Sequence, residues 1–188
     1  MIFVPFEYQY DVILADPPWS FKCWSEKGTG RSASQHYEIL SLDDIKSMNV
    51  GAFTKKDCCL FLWATNPLLP EAFEVIDAWG FTYKTVVFTW VKMCKDGVTP
   101  CFGNGYWTRA GSELCFLATK GHPKPVDHSI RQVLMSQRRE HSRKPDEQYG
   151  LIEKLLGNPE CKIELFARQT WPGWDSWGNE KTKFGGDS

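Results

Sequence analysis

The sequence predicts an α/β fold: a three-layer sandwich with helices on both faces of a mostly parallel sheet. Two observations carry this. Short apolar runs alternate with stretches of helical periodicity, and most runs stop abruptly at proline, asparagine or glycine. Residues 10–16 (YDVILAD) are the first run, ended by Pro17 and Pro18, and read as a strand buried on both faces. Residues 20–41 are polar, with Gly28 and Gly30, and loops of such length are usually functional or disordered. Ser41 before Leu-Asp-Asp-Ile is a helix N-cap. Residues 58–65 (CCLFLWAT) make a second strand, stopped by Asn66-Pro67. A helical stripe of Leu69, Ala72, Phe73, Ile76 and Trp79 follows, closed by Gly80.

Residues 83–91, 113–118 and 129–135 are the next strands, with a loop over 93–106 between the first two. The clearest helix covers 144–157. Pro145 suits its first position, Asp146 and Glu147 suit the positive end of its dipole, and Gly157 stops it. Residues 162–167 (KIELFA) form the last buried strand. Ligands in such folds bind beyond the carboxyl ends of the strands.

Composition narrows the function classes. A chain of 188 residues, 42% hydrophobic and 24% charged, buries a core and reads as one domain over residues 1–188. Its 22 basic and 23 acidic residues exclude a polycation but allow a local basic face. Residues 120–144 supply one: Lys120, Lys124, Arg131, Arg138, Arg139, Arg143 and Lys144 stand against Asp127 and Glu140. Such a strip tracks phosphates, with Arg138 and Arg139 at its centre. No apolar run approaches a membrane span, and the first residues lack the basic region of a secretory signal. A cytoplasmic location is expected, with the nucleus left open. The seven cysteines contain no C-x-x-C pair, so we expect reduced thiols and no metal site. No G-x-G-x-x-G follows a strand, against a dinucleotide enzyme.

Asp16-Pro17-Pro18-Trp19 carries the chemistry. Two prolines remove two backbone N–H groups, which frees neighbouring carbonyls as acceptors. Asp16 adds a carboxylate at the ligand edge and Trp19 a flat face. That set suits an exocyclic amine on a planar ring, as in adenine. Accepting both hydrogens makes the nitrogen pyramidal and aims its lone pair at an electrophilic methyl, so that catalysis reduces to positioning and charge stabilisation.

Beyond that tetrapeptide, Phe61-Leu-Trp-Ala-Thr, Trp90-Val-Lys, residues 105–121, Arg143-Lys-Pro-Asp-Glu-Gln-Tyr-Gly, Lys162-Ile-Glu-Leu-Phe-Ala-Arg and Trp177-Gly-Asn follow in order. Together they resemble the successive blocks of the MT-A70 family of adenine-N6 methyltransferases. The resemblance implies a Rossmann-like, S-adenosylmethionine-dependent methyltransferase fold with a permuted motif order. It implies a catalytic Asp16, Pro17, Pro18 and Trp19, and a cofactor site of Asp16, Pro17, Lys144, Phe166, Arg168, Asn179 and Glu180. It also implies substrate contacts at Trp24, Tyr37, Lys92, Arg109, Glu113, Arg138 and Arg139, with Trp107 as a further contact or a packing residue. The implied partner is nucleic acid, DNA ahead of RNA, and the implied assembly is a homodimer or a heterodimer with a related subunit. A base inside a duplex must be flipped out to reach Asp16, and loop 20–41 is placed to close over it. The rival reading is a non-catalytic, nucleic-acid-binding scaffold subunit.

Overall fold

The computed structural model describes residues 9–19, 40–103, 105, 107–140 and 142–184. The expected loop contacts Trp24 and Tyr37 lie outside these residues. Seven strands form one sheet in the order β5-β3-β4-β2-β1-β6-β7. They are β1 (Tyr10–Ala15), β2 (Thr54–Ala64), β3 (Thr82–Met93), β4 (Ser112–Lys120), β5 (Val133–Gln137), β6 (Lys162–Leu165) and β7 (Asp175–Trp177). Only β4 runs against the rest, antiparallel to both β2 and β3. The sheet is thus mostly parallel, with one reversed strand near its middle.

Period-two alternation explains the three layers. Along β2, Cys58, Leu60, Leu62 and Ala64 enter one core cluster, while Cys59, Phe61 and Trp63 enter the other. The first cluster packs under α1 (Leu42–Ser47) and α2 (Leu69–Ala78), and the second under α3 (Glu147–Leu156). Ser41 caps α1 as expected: its hydroxyl accepts from Asp44 N at 3.1 Å, and the Asp44 carboxylate reaches back to Ser41 N. In α2 the stripe is shifted, because Val75 rather than Phe73 is fully buried. Phe73 instead lies partly exposed over Phe116, ring centroids 5.1 Å apart.

Four expectations change. The third helix begins at Glu147, with Pro145 and Asp146 in a preceding turn whose carbonyls accept from Gln148 and Tyr149. The strand expected over 129–135 sits at Val133–Gln137, since it must pair with the carboxyl half of β3. The short edge strand β7 was not foreseen; just before it Trp171 stacks on Tyr149 at 4.4 Å and Trp174 is buried. Finally, Cys94 and Cys101 are joined in a disulfide rather than reduced, because the chain doubles back after β3, with Met93 bridged to Pro100, and brings their Cα atoms to 5.0 Å. Cys58, Cys59 and Cys115 are free, buried thiols as expected.

Candidate active site

The carboxyl edge of the parallel strands gathers the chemistry. β1 delivers Asp16, β6 delivers Phe166 and Arg168, and β3 delivers Lys92. Because β4 is reversed, it contributes its first residues, including Glu113, which pairs in register with Trp90. The turn before α3 adds Lys144. These charges form an alternating chain. Lys92 hydrogen-bonds Glu113, and Lys144 Nζ lies 3.1 Å from the other Glu113 oxygen and 2.7 Å from Asp16 Oδ2. Arg168 Nη1 reaches the same Asp16 Oδ2 at 3.0 Å, and its Nε lies 3.4 Å from Glu180.

The arrangement leaves Asp16 asymmetric. Both cations hold Oδ2, while Oδ1 makes no hydrogen bond among the described residues. Asp16 keeps partial exposure at the mouth of a cavity that Lys144, Gln148, Glu164, Phe166 and Arg168 also line. Burial disfavours the Lys144 ammonium, yet the flanking Asp16 and Glu113 carboxylates outweigh it and raise its pKa. Burial likewise opposes a charged Glu113, but Lys144 and Lys92 pull it down to about 2.

Other expected residues take different roles. Trp19 is only 7% exposed, and its indole N–H donates to Trp63 O at 3.0 Å, so it braces β1 against β2 instead of offering an open face. The Pro17 carbonyl already accepts from Trp19 N, at 2.8 Å, where a donor-free acceptor was expected. Arg139 is not free for phosphate: it pairs with Asp146 and donates to Lys144 O at 2.9 Å. Lys120 is likewise spent on Gly51 O and Thr54. Arg109 and Arg138 are exposed, as is Asn179. The basic strip therefore shrinks to Lys124, Arg131 and Arg138, because its other members fasten the loops that shape the site.

A match to the MT-A70 family model covers residues 10–180. The chain belongs to the MT-A70 family. It is 35% identical to the type II methyltransferase M.MunI of Mycoplasma sp, over 92% of this chain and 78% of that protein. It is 31% identical to an Arabidopsis thaliana N(6)-adenosine-methyltransferase MT-A70-like protein, over 91% of this chain but 24% of the relative. The human catalytic subunit METTL3 is 30% identical over 92% of this chain and 28% of its own length. Among the described residues no helix is long and apolar enough to cross a membrane.

The MT-A70 site also holds residues that the sequence reading missed. Glu164 sits within β6, on the face opposite Ile163 and Leu165, and accepts from Tyr149 OH at 2.7 Å. Burial is the main force that lifts its pKa to about 7; the Tyr149 hydrogen bond opposes the rise and nearby Asp16 adds to it. Gln169 donates to Tyr149 OH at 3.2 Å and to Asp146 at 3.0 Å, and Gln148 accepts from Trp63 Nε1 at 2.7 Å. A carboxylate between Ile163 and Leu165 in a buried strand was the available signal. Phe166 takes φ 60°, rare for a bulky residue, and such strain clusters at functional sites.

These residues fit S-adenosylmethionine, a methionine zwitterion joined through a sulfonium to an adenosine. Lys144 and Arg168 suit the carboxylate, and Glu164 and Asp16 suit the ammonium and sulfonium. The buried Arg143 Nε, which also lines the cavity, has no partner among the described residues and can donate to a bound oxygen. Phe166 packs edge-on to Trp177 at 5.6 Å, giving an aromatic wall.

Proposed function

We propose that this chain transfers a methyl group from S-adenosylmethionine to the N6 amine of adenine in DNA. The observation that carries the reading is Asp16, with one oxygen clamped by two cations and the other open to the cavity mouth. Oδ1 and the second lone pair of the Pro17 carbonyl take the two amine hydrogens. The nitrogen pyramidalises, and its lone pair turns toward the cofactor side of the cleft. The cofactor, when bound, supplies a sulfonium methyl. With S-adenosylmethionine held there, the Asp16 carboxylate would stand beside the nitrogen as it takes up positive charge, the C–N bond forming while the C–S bond breaks. The nitrogen then sheds a proton to water. Lys144 and Arg168 fix the Asp16 carboxylate beforehand, so the negative charge that stabilises the amine is pre-oriented.

DNA is favoured because the chain is 35% identical to the type II methyltransferase, against 30% to the METTL3 subunit, over the same 92% of its length. An intact Asp16–Lys144–Arg168 cluster argues against a scaffold subunit. The test is incubation with methyl-labelled cofactor and single- and double-stranded DNA and RNA oligonucleotides, followed by digestion to nucleosides. The expected product is N6-methyladenine in DNA. Asp16→Ala is expected to abolish transfer, and full turnover in that variant would overturn the assignment. Labelled RNA with unlabelled DNA would transfer the reading to RNA.

A further inference from the structure

The β3–β4 connection contains a feature that methyl transfer alone does not use. Trp107 is 99% exposed, and Phe102 and Val98 on the same loop are 63% and 77% exposed. Single apolar residues on a surface are ordinary, but three on one loop, with an indole wholly in water, are not.

The loop is built as a narrow prong. The disulfide between Cys94 and Cys101 closes the first turn of the connection, where Cys94 N also donates to Thr99 O at 2.8 Å, and Trp107 follows it in the second half, between Cys101 and Gly111. The second half is fastened at the sheet, where Cys101 N donates to Lys92 O at 2.7 Å and Lys92 N to Gly111 O at 2.9 Å, and Gly103 N donates to Ala110 O at 2.6 Å across its own base. Glycine lets the arms touch. A Cβ on Gly111 would lie 2.7 Å from Cys101 O, and one on Gly105 would lie 2.0 Å from Thr108 O. Among the described residues the Trp107 side chain packs on none, and it stands 99% exposed.

The prong stands at the substrate side of the site. Its arms leave the sheet beside Lys92 and Glu113, members of the ion chain that ends on Asp16. Trp107 is four residues before Gly111, a reach of at most about 14 Å, or about four base steps. Exposed Lys95 and Arg109 lie on the same loop, and Arg138 is tied to its root through Arg138 N to Met93 O at 2.9 Å. An aromatic tip among cations fits a stacked polyanion better than an apolar protein surface.

We propose that Trp107 enters the duplex at the target and stacks in the space that the flipped adenine leaves. The inference rests on the reading of the chain as a DNA adenine methyltransferase. An indole in the gap offsets part of the lost stacking, so the extruded base stays out long enough to meet Asp16.

The experiment compares wild type, Trp107→Ala and Trp107→Phe on two duplexes. One holds a paired target adenine, and in the other the target faces an abasic site. Trp107→Ala is expected to lower kcat/KM on the paired duplex by roughly 5- to 100-fold, with much less loss on the abasic duplex and unchanged cofactor affinity. Trp107→Phe is expected to recover most of the loss. Base opening is read separately, from the fluorescence of 2-aminopurine at the target position. Wild type is expected to raise it and Trp107→Ala to fail. Equal losses on both duplexes, wild-type kinetics in Trp107→Ala, or a Trp107→Ala chain that changes oligomeric state would each overturn the proposal. Base opening by wild type without methyl transfer would sink the activity reading and leave this one standing.

Discussion

Glu164→Gln tests the electrostatics of the cavity most directly. Glu164 is 8% exposed, accepts from Tyr149 OH, and has its pKa lifted from 4.5 to about 7. The folded state therefore holds this proton more tightly than the unfolded chain. Between pH 4.5 and 7 stability falls as pH rises, and above about pH 7 the loss is complete. At 1.36 kcal/mol for each pH unit, the cost is about 3 kcal/mol. Glutamine keeps an acceptor for Tyr149 and carries no charge, so it escapes that cost. For a chain of this size, 3 kcal/mol is about 6–12 °C in Tm. Thermal unfolding should show Glu164→Gln above wild type by up to that amount at pH 8, and near it at pH 5. Calorimetric titration completes the test: S-adenosylmethionine should bind wild type more tightly at pH 8 than at pH 6, because an ammonium favours the ionised carboxylate. The variant should lose that trend. A Tm difference that is the same at both pH values would refute the reasoning.

Four further outcomes are expected. Lys144→Met should weaken S-adenosylmethionine binding about 10- to 100-fold by titration, yet lower Tm only slightly, because Asp16 keeps Arg168 and Glu113 keeps Lys92. Gly178→Ala should cost about 1–3 kcal/mol in urea unfolding, since a Cβ there would lie 2.7 Å from Ala167 N. By contrast Gly150→Ala should stabilise α3 by up to about 1 kcal/mol, because its Cβ would meet nothing within 4 Å. Glu113→Gln should be less stable than wild type at neutral pH. Its depressed pKa means that this gap persists above pH 4.5 and closes as pH falls toward 2.

The strands were legible wherever burial on both faces made a continuous apolar run, as in β1, β2 and β6. Helix ends were legible where one residue decides them, as at Ser41 and Gly157. Pro145 misled because a proline suits a turn before a helix as well as its first position. β7 was missed because three residues with a Trp pack by side chain and show no periodicity. In the site, Asp16, Lys144 and Arg168 were each identifiable, but their sharing of one oxygen depends on spans of 128 and 152 residues. Trp19 was misread for the same reason: local neighbours imply exposure, while a partner 44 residues away determines its burial.

The reversal of β4 has a wider effect on how this enzyme class could be altered. Parallel neighbours must be joined by long crossovers, whose length is tied to the helices they carry. An antiparallel pair needs only a hairpin, and here that hairpin opens on the face where nucleic acid would arrive. Segments can be exchanged at 94–111 without rethreading any other strand, which makes that single turn a natural place to graft a new target preference.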